Sequence, residues 1–145
     1  MNFELTASMM CAGYGNLEKE VRELEAGGID SFHIDIMDGR YVPNFAMSLN
    51  DMAYISSATE KPLDVHLMIT QPVRYVERFC DAGAALVTVH VEADSAENIH
   101  AAIENMLSST VAGLVEGHAG EQSHISGEDF KTATAHLAGS VFAPR

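Results

Sequence analysis

The chain has no tryptophan, two cysteines, four prolines and only eight lysines and arginines against 21 aspartates and glutamates. Each scarcity excludes something. Cys11 and Cys80 are too few for a disulfide scaffold, which makes a reducing cytoplasm the default compartment. The net charge of −13 argues against a nucleic-acid partner or an anionic membrane surface. It still permits a phosphorylated substrate, because backbone amides at helix N-termini bind phosphate without Lys or Arg. Apolar runs fall far short of a membrane span. The opening MNFELTASMM has no basic stretch ahead of an apolar one, so neither a signal peptide nor a transmembrane helix is expected. The 145 residues, 47% hydrophobic and 20% charged, suffice for one domain with a core.

The stretch Ser31–Asn44, SFHIDIMDGRYVPN, organises the rest. Phe32, Ile34 and Ile36 alternate with His33, Asp35 and Met37, which puts an aliphatic row on one strand face and an imidazole, a carboxylate and a thioether on the other. A strand with its polar face in water favours Thr, Lys or Ser there; His-x-Asp-x-Met is odd for that purpose. Asp38-Gly39 then turns the chain. The construction recurs in LDVHLM, Leu63–Met68, and in LVTVHV, Leu86–Val91. Three strands thus carry a histidine on the face opposite the aliphatic one. A parallel barrel explains this: aliphatic faces pack on outer helices, other faces point inward, and chemistry gathers at the strands' C-terminal ends.

In chain order, Phe3–Met9 alternates as a first strand, and Asn16 caps a helix through Leu17, Val21 and Leu24 that stops at Gly27-Gly28. Ser48 with Asp51 forms a capping box before a helix burying Leu49, Met52 and Ile55. Thr70-Gln71-Pro72 starts a helix with Val73, Val76, Phe79 and Cys80 on its apolar face, closed by Gly83. Glu92–Ser95 reads as a loop, a helix follows through Ile99, Ile103, Met106 and Leu107, and Thr110–Val115 reads as a fifth strand. Repeated βα units imply a parallel sheet with right-handed crossovers. After Val115 the pattern fails. Residues 117–145 hold one weak helical stretch, Asp129–Leu137, and His118, His124 and His136 at a spacing that matches no ligand motif.

FHIDIMDGRYVPN, PLDVHLMI, AGAALVTVHVEA and ASMMCAGYGNLEKEV together resemble the ribulose-phosphate 3-epimerase family, which includes epimerases acting on allulose 6-phosphate. The resemblance spans about Phe3–Val115. It implies an α/β fold, a parallel (β/α)₈ barrel of TIM type, here reduced to about five βα units. It also implies one divalent metal ion and inversion of C3 in a phosphorylated ketose such as ribulose 5-phosphate or xylulose 5-phosphate. By position, the metal ligands would be His33, Asp35 and His66. Asp35 would also be the catalytic acid/base, Ser8 and His66 would contact substrate, and Met37 and Met68 would be apolar caps over the reacting carbon.

The residues support these roles on chemical grounds. Taking a proton from carbon beside a carbonyl creates an enediolate whose charge needs an adjacent cation. Two imidazoles and a carboxylate suit Zn²⁺, Fe²⁺, Co²⁺ or Mn²⁺ without choosing among them. The bland alternative, a pair of hydrogen-bonded core histidines, loses to Asp35 standing between them in phase. Met37 and Met68 alone would read as core packing. His90 reads as a polar core residue or a support for a ligand, and Cys11 as a small buried residue.

The sequence departs from the family at Ala7, where the family usually has Pro. After its fifth strand the family continues with an Asn-Pro loop, a Met-containing sixth strand, a strand bearing Val-Asp-Gly and a Gly-Ser phosphate loop. None of these is found here, and an eight-stranded barrel needs roughly 200–250 residues. The expectation is therefore a truncated epimerase, poorly active for want of a second catalytic Asp and a phosphate site, with residues 1–116 as partial barrel and 117–145 as a divergent, poorly ordered tail. An open barrel edge would favour self-association into a homo-oligomer. The competing class is a non-enzymatic barrel fragment that binds metal or another subunit. A lyase or decarboxylase is disfavoured, since such phosphate-binding barrels use Lys at the strand ends.

Overall fold

The computed structural model describes residues 4–109 and, as backbone, 112–116. The elements alternate without interruption: β1 (Thr6–Ser8), α1 (Leu17–Ala26), β2 (Ser31–Met37), α2 (Leu49–Ala58), β3 (Leu63–Met68), α3 (Val76–Asp81), β4 (Leu86–His90), α4 (Ala96–Ser108) and β5 (Ala112–Glu116). All five strands are parallel and lie in the order β1-β2-β3-β4-β5. Chain order and spatial order coincide, so the sheet never reverses direction as a doubly wound sheet does. Right-handed crossovers then keep every helix on one side. The architecture is that of a TIM-type α/β barrel, here four βα units and a fifth strand. The segment after β5, including Asp129–Leu137 and the histidines at 118, 124 and 136, lies outside the described residues.

Alternation decides which side chains go where. Phe32, Ile34, Leu63, Val65, Leu67, Val87 and Val89 are buried against Val21, Met52, Ile55, Val76, Phe79, Ile99, Ile103 and Met106 from the helices. The opposite strand face carries His33, Asp35, Met37, Asp64, His66 and Met68, all half-buried except Asp35, which is buried. Register then aligns the strands residue by residue: Asp35 pairs with His66, His33 with Asp64 and Met37 with Met68.

The ends of the helices follow their caps. Ser48 Oγ accepts from the Asp51 amide at 3.3 Å while Asp51 Oδ2 accepts from the Ser48 amide at 2.8 Å, a complete capping box. Gly83 stands at φ +102°, where an added Cβ would meet Ser56 Oγ at 2.6 Å, so a residue without a side chain closes α3.

Several expectations are corrected. The first strand covers Thr6–Ser8 rather than Phe3–Met9, because Met9–Cys11 tightens into a 3₁₀ turn straight after Ser8 and Leu5 is left 54% exposed. That turn also exposes Cys11, contrary to the buried position read from sequence; Cys80 is the buried thiol. Asn16 precedes α1 but its side chain makes no capping hydrogen bond. Thr70–Pro72 does not open α3: Gln71 sits in the left-handed region at φ 54°, Pro72–Arg74 forms a separate 3₁₀ turn, and the α-helix begins only at Val76. The strand expected at Leu86–Val91 ends at His90, and Val91–Ala93 is a 3₁₀ turn, with Val91 and Ala93 buried, that runs into the expected Glu92–Ser95 loop. Ser95 caps α4 by accepting from the Asn98 amide.

Candidate metal centre

The polar faces of β2 and β3 bring His33, Asp35 and His66 together around the middle of the two strands. One ligating atom from each lies within 4.8 Å of the others. His33 Nε2 is 3.1 Å and His66 Nδ1 3.4 Å from the same oxygen, Asp35 Oδ1. The rings lie 5.7 Å apart, tilted by 54°. The other carboxylate oxygen, Asp35 Oδ2, accepts from the Ser8 hydroxyl at 3.0 Å. Met37 and Met68 stand side by side one step beyond Asp35 and His66 on the same face. His33, Asp35 and His66 thus come together, and Ser8 reaches Asp35 from the neighbouring β1.

The outer contacts explain why these imidazoles face inward. His33 Nδ1 lies 2.7 Å from Asp64 Oδ2. The Asp64 hydrogen bond raises the His33 pKa against the opposing effect of burial, with Asp35 adding to the rise. When the ring is neutral, its hydrogen belongs on Nδ1 toward Asp64, and Nε2 presents a lone pair to Asp35. Two imidazole nitrogens and a carboxylate oxygen crowding one point repel one another unless a positive charge sits between them. A proton on His33 supplies it in part; a divalent cation satisfies all three groups at once. The donor set therefore fits such an ion, and the carboxylate behind His33 is the orienting partner that ligand histidines require.

Asp64 was visible in the sequence on the His66 face but carried no assigned role. Its task depends on strand register, which sets it opposite His33. His90, buried at the end of β4, meets His66 Nε2 through its own Nε2 at 2.7 Å.

Asp38 shapes the rim. Its carboxylate accepts from the Arg40 and Tyr41 amides and from both the amide and hydroxyl of Thr70, at 2.8–2.9 Å, tying the loop after β2 to the loop after β3. Partial burial works against the charge, but these donors hold its pKa at about 2, below the usual 3.8. Folding lowers this pKa, so the carboxylate's contribution is full above the unfolded value and disappears as pH falls through about 2. Hydrogen bonds to charged groups contribute about 1.5–3 kcal/mol, so Asp38→Ala should destabilise the fold by roughly 2 kcal/mol. Urea unfolding should show this loss at pH 7 and a much smaller one near pH 2. Beside the rim, a cavity of about 410 Å³ is lined by Met37 and Asp38 and by Arg40, Arg74 and Arg78, concentrating positive charge in an otherwise acidic chain. Among the described residues no helix is long and apolar enough to cross a membrane.

The model of the ribulose-phosphate 3 epimerase family matches residues 4–116. The ribulose-phosphate 3-epimerase of Synechocystis sp. is 39% identical over 99 residues, covering 68% of this chain and 43% of the relative. That of Bacillus subtilis is 41% identical over 90 residues, covering 62% and 42%. The chloroplastic ribulose-5-phosphate-3-epimerase of Arabidopsis thaliana is 37% identical over 112 residues, covering 77% and 40%. The chain spans about two fifths of the length of these curated relatives. Among solved structures, a mandelate oxidase mutant matches with a TM-score of 0.60 at 19% identity, covering 94% of this chain and 47% of that one. A Yersinia pestis DHPS matches at 0.57 and 9% identity, covering 97% and 55%. At such identities the likeness concerns the fold alone.

Proposed function

The chain belongs to the ribulose-phosphate 3-epimerase family, and we propose that it carries the His–Asp–His part of a metal-dependent centre that removes the C3 proton of a phosphorylated ketose. Ribulose 5-phosphate, xylulose 5-phosphate or a related ketose phosphate is the substrate. The observation that carries this reading is the convergence of His33, Asp35 and His66 within 4.8 Å on the polar face of β2 and β3.

His33 Nε2, Asp35 Oδ1 and His66 Nδ1 would hold the ion, one divalent metal among Zn, Fe, Co and Mn. When bound, it supplies the positive charge that an enediolate needs nearby. Asp35 Oδ2, turned from the imidazoles and held by Ser8, is the oxygen left to take the C3 proton. Ser8 fixes the plane of that carboxylate and lies within reach of substrate hydroxyls. Met37 and Met68 give the reacting carbon an apolar cover that excludes water. Arg40, Arg74 and Arg78 draw a phosphate ester toward the rim against the chain's net charge. The described residues 4–109 and 112–116 supply the barrel portion. The cytoplasm is the compartment, and β1 and β5, the edge strands among the described residues, support self-association as a homo-oligomer.

Titration of the 145-residue chain with Co²⁺ tests the centre. Partners behind a ligand are themselves worth about 10–100-fold in affinity, so His33→Ala or His66→Ala should weaken binding by at least the order of 100-fold. Binding should also weaken as pH falls through the raised pKa of His33, since proton and cation compete for Nε2. Equal metal retention by wild type and His66→Ala after dialysis would refute the assignment. Tight metal binding without C3 exchange would favour a non-enzymatic metal-binding module.

A further inference from the structure

We propose that His90, backed by Glu92 and Tyr41, is a positioning relay that fixes the tautomer of His66 and so presents the Nδ1 lone pair to Asp35 and the cation. The proposal rests on the metal-centre reading above and names the residues that tune that site from outside.

His90 is 4% exposed, at the C-terminal end of β4. Its ring lies 4.9 Å from that of His66, and the two Nε2 atoms are 2.7 Å apart. On the far side, His90 Nδ1 faces Glu92 Oε1 at 3.8 Å. The Tyr41 hydroxyl donates to that same oxygen at 2.6 Å, and the Tyr41 ring lies 5.1 Å from the His90 ring.

With both rings neutral, two nitrogens at 2.7 Å share one hydrogen, and its owner decides what His66 can do. If His90 Nε2 carried it, His66 would bear its own hydrogen on Nδ1, pointing at Asp35 with no lone pair left for a cation. His90 would also turn its Nδ1 lone pair toward the Glu92 carboxylate, and two acceptors would face each other. If His66 Nε2 carries it, His90 bears its hydrogen on Nδ1 toward Glu92, and His66 Nδ1 is left as a lone pair among the ligating atoms. In the metal-free chain Asp35 Oδ1, 3.4 Å from His66 Nδ1, favours the first arrangement, and Glu92, pinned by Tyr41, favours the second, which is the one a cation needs.

The same logic acts on His33 through a shorter path, with Asp64 directly behind Nδ1. The two imidazoles thus offer opposite ring nitrogens to one point, each set by a carboxylate on its far side: directly for His33, through a second histidine for His66. Carboxylates behind ligand histidines are a general device for fixing ring orientation and basicity.

Long-range ¹H–¹⁵N correlation spectra of the metal-free 145-residue chain, recorded above the histidine titration range, read the tautomers without any metal. Wild-type His66 is expected to carry a larger share of the Nε2–H form, and His90 of the Nδ1–H form, than the same rings in Glu92→Gln. Glu92→Gln can donate as well as accept, and should mix the tautomers of both rings and weaken Zn²⁺ binding about tenfold. His90→Phe should cost about 10–100-fold in Zn²⁺ affinity, and His90→Gln, which retains an acceptor, should recover most of it. His66 found wholly as Nδ1–H in wild type would overturn the proposal. So would Glu92→Gln spectra and Zn²⁺ affinity unchanged from wild type, an isosteric change at a half-buried position that stands in should His90→Phe fail to fold. A chain that binds no Zn²⁺ would sink the metal-centre reading, while the tautomers in the metal-free chain would still decide the relay.

Discussion

Asp35→Asn is expected to cut deuterium incorporation at C3 of a ketose phosphate by about 10²–10⁴-fold, the usual worth of a positioned acid–base group. The wild-type chain, saturated with metal in deuterated water, should exchange that position measurably. Asparagine keeps the shape of the side chain and can still meet the Ser8 hydroxyl and the His33 ring, whose distances to Asp35 are 3.0 and 3.1 Å. It cannot accept a proton from carbon. The loss should therefore appear in turnover at saturating metal while the thermal transition moves little. The substitution also removes a negative charge from the ligand set, so metal affinity should fall with it. Unchanged exchange in Asp35→Asn would transfer the base role to another group, with Asp64 next in line on the same face.

The strands β2, β3 and β4 and their shared polar face were legible in the sequence because period-two alternation is a local signal. Once His33, Asp35 and His66 fell in phase, their meeting followed from any parallel pairing of β2 with β3. Boundaries were harder. Whether the chain after Ser8 continues as strand or tightens into a 3₁₀ turn depends on a few backbone angles, and with them goes the exposure of Cys11. The late start of α3 follows from the left-handed Gln71, which no residue preference announces.

The support behind the ligands was the least legible part. Asp64 meets His33 only because register sets them opposite, and a shift of one residue would send Asp64 to the helix side. Tyr41 and Glu92 are 51 positions apart and touch where the loops after β2 and β4 converge. Such contacts are properties of the assembled sheet rather than of any one segment.

The 145-residue polypeptide should exchange the C3 hydrogen with solvent faster than it inverts C3, by on the order of 10²–10⁴-fold. Removal of the proton requires one base, and Asp35 Oδ2 serves. Inversion requires a donor on the opposite face of the planar enediolate. Among the described residues around the centre, the other acids are engaged elsewhere: Asp64 with His33 Nδ1 at 2.7 Å, Glu92 with Tyr41 at 2.6 Å, and Asp38 with four donors of the rim. A proton returned by Asp35 regenerates the starting configuration, with deuterium in place of hydrogen. Weak anchoring of the phosphate would compound the deficit, since binding energy away from the reacting carbon is what holds that carbon in place. Proton NMR of ribulose 5-phosphate in deuterated water should therefore show the C3 signal fading while no xylulose 5-phosphate appears. Formation of xylulose 5-phosphate as fast as that fading would overturn the expectation and assign the second acid to residues 117–145 or to another copy of the chain.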